Sequence, residues 1–67
     1  MDVKDAKYLL NKQVDWAGWP CILKSLIYWL DEKAKKYRYS AEIETIASRT
    51  IYRVALETVN KIEEVTE

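Results

Sequence analysis

The chain has 67 residues, with eleven basic and eleven acidic side chains, no histidine, and a single cysteine, glycine and proline. A length like this allows one domain, which buries only ~60% of the surface its unfolded form exposes. One cysteine without histidine excludes an internal disulfide and a Cys/His zinc site, and zero net charge argues against a strongly electrostatic partner.

No apolar run approaches the ~20 residues needed to span a bilayer. The opening MDVKDAKYLL lacks the basic-then-apolar layout of a signal peptide. A lone thiol fits a reducing compartment. The expectation is a cytoplasmic protein with neither cofactor nor metal. Charge is uneven along the chain: residues 1–39 carry a net +3 and residues 40–67 a net −3. Antiparallel packing of the two halves, or head-to-tail contact between copies, would place opposite signs together.

Taken in order, the spacing predicts an all-α fold: a small three-helix bundle over residues 1–67, assembled as a homo-oligomer. Asp2 suits an N-cap. Val3, Ala6, Leu10 and Val14 then form a narrow stripe, predicting a short helix over about 3–13. Residues 14–19 read as a loop. Gly18 permits a tight turn, and Trp19, before a proline, is pushed out of the helical region. Pro20 suits the first position of a second helix, over about 20–37. On a helical wheel Ile22, Leu23, Leu26, Ile27, Trp29, Leu30, Ala34 and Tyr37 share one broad arc. Ser40, followed by Glu42 and Glu44, marks the N-terminus of a third helix over about 41–65. Ile43, Ala47, Ile51, Val54, Thr58, Ile62 and Val65 would line its main face. No Gly or Pro separates helices two and three, so a continuous rod is the alternative. At ~1.5 Å per residue the third helix is ~38 Å long against ~27 Å for the second, leaving about two turns overhanging. Glu63, Glu64 and Glu67 at its end oppose the dipole and favour fraying.

Tyr52, Leu56 and Val59 fall at i, i+4 and i+7, a second apolar patch bordered by Arg49 and Arg53. Helix one, a second protomer or a different partner would cover it. Together with Trp16 and Trp19, aromatics of the kind enriched at interfaces, these residues are the candidate contact surface.

Catalytic signals are weak. Without histidine no side chain titrates near neutrality unless strongly perturbed. Asp15 beside Trp16 reads as a turn or cap residue. Cys21, in the first turn of the second helix, is the one nucleophile signal, with no base to support it. A single glycine leaves no phosphate-binding loop. No catalytic residue is assigned and no enzyme is expected. Lys33, Lys35, Lys36 and Arg38, interleaved with Tyr37 and Tyr39, fit phosphate contact and base stacking. They fit a solvated helix end better, and zero net charge argues against nucleic acid. The second helix could also lie on a membrane surface, a pattern that bundle packing explains equally. Trp16, Trp19 and Trp29 could wall a pocket for a small anionic ligand such as a nucleotide, with Arg49 or Arg53 supplying charge.

The expected function is that of a non-catalytic accessory or regulatory protein. It would act by protein–protein interaction and self-association, with ligand or nucleic-acid binding as the alternative. The small size also suits a phage or mobile-element accessory protein.

Overall fold

A computed structural model describes residues 1–62. It replaces the expected helical bundle with one short helix and a five-stranded antiparallel sheet. The elements are α1 (Val3–Tyr8), β1 (Gln13–Trp16), β2 (Trp19–Asp31), β3 (Lys36–Thr45), β4 (Ile51–Ala55), a 3-10 turn at Leu56–Thr58, and β5 (Val59–Asn60). The strand order is β4-β3-β2-β1-β5, so β4 and β5 are the two edges. The helices over 20–37 and 41–65 are therefore corrected, over the described residues, to strands joined by turns, with a 3-10 turn at Leu56–Thr58. Val65, Glu63, Glu64 and Glu67, invoked for the third helix, lie outside the described residues.

Asp2 occupies the N-cap of α1. The helix ends at Tyr8 instead of Gln13 because the chain turns left-handed at Asn11 (φ 65°) and joins the sheet. The Asn11 N–H donates to the Leu23 carbonyl at 2.7 Å, and the Leu23 N–H to the Lys12 carbonyl at 3.1 Å. Residues 14–19, expected as a loop, form most of the β1–β2 hairpin instead. Ala17 (φ 52°) and Gly18 (φ 83°) both have positive φ, the requirement of a two-residue type I′ turn. Pro20 is the second residue of β2, a strand-start position where its missing N–H is tolerated.

β2 explains why a helix is the natural misreading. Its pairing with β3 runs Leu23↔Ile43 and then Leu26↔Ala41, with a bulge between Leu23 and Ser25. The extra residue keeps Leu23 and Leu26 on one face although they are three apart. Leu23, Leu26 and Leu30 thereby show steps of three and four, which mimic a helical stripe. The opposite face adds Ile22, Ile27 and Trp29, so the segment reads as nearly continuous apolar sequence. In β3 the alternation is plain, with Tyr37, Tyr39, Ala41, Ile43 and Thr45 on one face. Ser40, expected as an N-cap, is buried in mid-strand, and its hydroxyl accepts the Trp29 indole N–H at 2.7 Å.

The core lies on the inner face of the sheet, beneath α1. Val14, Cys21, Leu23, Ala41, Ile43 and Val59 are fully buried there, with Ala6 from α1 and with Leu56. Directly opposite antiparallel residues share a face, so Trp16, Trp19, Tyr52, Val54, Tyr28 and Tyr39 also belong to this side. Beyond the reach of β1 and β4, the β2–β3 hairpin continues as a two-stranded ribbon from Tyr28↔Tyr39 to Asp31↔Lys36. At thirteen residues β2 is the longest of the described elements. Among the described residues no helix is long and apolar enough to cross a membrane.

Candidate functional site

The type I′ turn at Ala17–Gly18 sets Trp16 directly opposite Trp19. Facing them is the loop from β3 to β4. Its shape comes from Thr45, whose carbonyl accepts the Arg49 N–H at 2.7 Å and whose N–H donates to the Thr50 carbonyl at 2.9 Å. The Thr45 and Ser48 hydroxyls bond to each other at 2.5 Å. Ile46 N–H donates to the Pro20 carbonyl at 3.1 Å, which ties this loop to the start of β2.

Trp16 stacks on Tyr52 with ring centroids 5.7 Å apart and planes 28° from parallel. In a flat sheet β1 and β4, three places apart, would be separated by ~14 Å. The contact therefore shows that the sheet curls, bringing the two strands' inner faces together. The curl leaves a cleft of about 290 Å³ walled by Trp16, Trp19, Thr45, Ala47, Ser48 and Tyr52. That volume is at the lower end of the small-molecule range. Trp19 is 57% exposed and Tyr52 44%, so the rings are open to a partner. Among the described residues no charged side chain lines the cleft.

The seven candidate residues separate into three groups. Trp16, Trp19 and Tyr52 meet in the cleft. Arg49 lies in the exposed β3–β4 loop with φ 54°. Arg53 is on the outer face of β4, directly across from Glu42. Neither arginine lines the cleft, so an anionic ligand there would meet neither guanidinium in its walls. Leu56 and Val59 are 4% and 0% exposed and belong to the core. The helical grouping of Tyr52, Leu56 and Val59 is corrected accordingly: one stands in the cleft, and the other two pack inside. Trp29 takes no part in the cleft, being held by Ser40 on the opposite face. Thr45, Ala47 and Ser48 escape the sequence reading, which placed them within a helix; the Ser/Thr content of TIASRT was the available loop signal.

Cys21 is not in a helical first turn. Its side chain is fully buried in β2 and its thiol donates to the Trp19 carbonyl at 3.4 Å. Burial pushes its pKa up, with the charge of Asp15 adding to the effect. Both causes hold it as a neutral thiol. Comparison with protein-family models, with characterised proteins and with solved structures finds no match.

Proposed function

We propose that this protein is a non-catalytic interaction factor. It binds polypeptide, its own copies first, along the open edge of β4 and the aromatic cleft beside it. The observation that carries this reading is the character of that edge. Among the described residues β4 is paired on one side only, and its Ile51 and Tyr52 are 56% and 44% exposed. An edge strand presents unpaired backbone N–H and C=O groups, and monomeric proteins guard such edges with lysine, proline or bulges. β4, reading Ile-Tyr-Arg-Val-Ala, has one charge, Arg53, which faces Glu42 on the neighbouring strand. Partly exposed tryptophan and tyrosine next to such an edge match the composition of interface centres.

Sedimentation velocity across a wide concentration range tests the proposal. The expected result is a mass that is a multiple of the 7.9 kDa chain. Replacing Ile51 and Tyr52 together by lysine should return it to a single chain with an unchanged circular dichroism spectrum. A wild-type protein that stays single at every concentration would sink the proposal.

A further inference from the structure

The far end of the β2–β3 hairpin carries a second aromatic group, unrelated to the cleft. Tyr28 stacks on Tyr37 at 4.8 Å and 13°, and lies 4.7 Å from Tyr39 at 42°. Register explains the cluster: Tyr28 is directly opposite Tyr39, and Leu30 opposite Tyr37, all on one face of the ribbon. Packing leaves much of it in water, with Tyr28 59%, Tyr37 58% and Leu30 47% exposed.

The turn that joins the two strands next to the rings is rich in cations, with Lys36, directly opposite Asp31, on the ribbon face away from the rings. The Asp31 carboxylate accepts the backbone N–H groups of Lys33 and Ala34 at 3.1 and 3.2 Å. Lys35 takes the left-handed conformation, φ 53°, that lets the chain re-enter β3. Asp31 Oδ2 also lies 2.7 Å from Arg38 Nε, so those two charges offset each other. Lys33, Lys35 and Lys36 are exposed, and among the described residues no carboxylate forms an ion pair with any of them. Glu32 is the one acid within the turn. Asp2 and Glu57 line the groove that Lys36 borders, as does Met1, whose terminal ammonium donates to the Leu56 carbonyl. A solvated helix end, the competing account of these lysines, is removed because no helix is present there.

We propose that this hairpin tip binds single-stranded nucleic acid, with Tyr28 and Tyr37 stacking unpaired bases and Lys33, Lys35 and Lys36 contacting phosphates. The juxtaposition selects the ligand. Exposed aromatic faces ask for planar groups that are free to stack, while three cations lacking carboxylate partners ask for a chain of negative charge; an unpaired strand offers both. Duplex DNA offers the charge and keeps its bases stacked inside. The charge is local, since the whole chain is neutral. Binding is therefore modest and salt-sensitive: three phosphate contacts on a single strand give a slope of log affinity against log salt of about −2.

The test is fluorescence anisotropy of a labelled oligothymidylate of ~15 nucleotides, long enough for such a site. Between ~50 and ~200 mM salt the affinity should fall by about tenfold to twentyfold. Replacing Lys33, Lys35 and Lys36 together by glutamine, at exposed positions where folding is not at issue, should abolish most of that salt dependence. Tyr37→Leu keeps an apolar partner for Leu30 and removes a stacking face; it should weaken binding about tenfold. Both variants should match the wild-type circular dichroism. The proposal is overturned by no binding at ~50 mM salt, by binding that neither variant changes, or by equal affinity for duplex of the same length. Binding to phosphatidylserine vesicles without binding to the oligonucleotide would overturn it in favour of a membrane surface.

Discussion

The two ends of the β2–β3 hairpin follow the same alternation and meet different fates. Near its base Leu23 and Ile43 face each other, flanked by β1 and β4 and covered by α1, and both are fully buried. Toward the tip, Tyr28, five residues beyond Leu23 in β2, and Tyr37, six residues before Ile43 in β3, occupy the same face and are more than half exposed. Register decides which way a side chain points; neighbouring elements decide whether it is buried. Where neighbours are lacking, a two-stranded ribbon is marginal on its own, and here ring-on-ring stacking takes the place of a core. The base holds the fold, and the tip is left for contact.

The largest test of this division is a charge at the base. Leu56→Glu should leave no cooperatively folded protein, because it buries an unpaired carboxylate among Val14, Val59 and Leu23. Ile43→Ala should cost about 2–5 kcal/mol in denaturant unfolding. Tyr37→Ala, on the same face of the same strand, should cost about 1 kcal/mol or less. Comparable losses at the two sites would mean that the tip is structural, and the comparison would fail.

That contrast also shows what was legible in the sequence. YRYSAEIET alternates strictly, and its two-residue period was open to reading. The bulge after Leu23 and the apolar outer face of β2 hid the matching period in its partner, so the helical count prevailed. WAGW held the two-residue hairpin turn, which the proline after it disguised as the approach to a helix. Trp16 and Trp19 stand out in the sequence as aromatics of the kind enriched at interfaces, and Tyr52 through a helical patch with Leu56 and Val59 that a strand and a 3-10 turn replace. Their meeting depends on the curl that brings together Trp16 and Tyr52, thirty-six positions apart, and no local pattern encodes it.

A smaller effect is expected at the β1–β2 turn, which aligns the cleft's two tryptophans. Gly18 has φ 83° and nothing within 4 Å of where a Cβ would stand, so Gly18→Ala meets backbone strain without a clash. The cost should be about 1 kcal/mol. Ala17 already bears the same kind of strain at φ 52°. Ala17→Asn, giving the Asn-Gly pair that type I′ turns favour, should raise stability by up to about 1 kcal/mol. Thermal unfolding of the two variants should move in opposite directions, and a shared direction would mean that the turn is not what limits this end of the sheet.

The smallest effect belongs to the tip and is read through pH. Backbone donation from Ala34 holds the Asp31 carboxyl below its ordinary value of 3.8, helped by Arg38 and Lys33 and opposed by partial desolvation. A carboxylate with a lowered folded-state pKa binds protons less readily when folded than when unfolded. Its stabilisation is complete above the ordinary value, begins to fade as pH falls past it, and is lost once pH passes below the folded-state value. Asp31→Asn keeps an oxygen for the Lys33 and Ala34 N–H groups and removes the titration. The stability difference between wild type and variant should be constant near neutrality and shrink below pH 3.8, while the remaining carboxylates cancel in the subtraction. Because the group is at the exposed tip, solvent screens it and the difference should be slight next to that of Ile43→Ala. A gap that stayed constant down to strong acid would place the benefit of Asp31 in the geometry of the turn and not in its charge, leaving backbone geometry and ring stacking to order the tip.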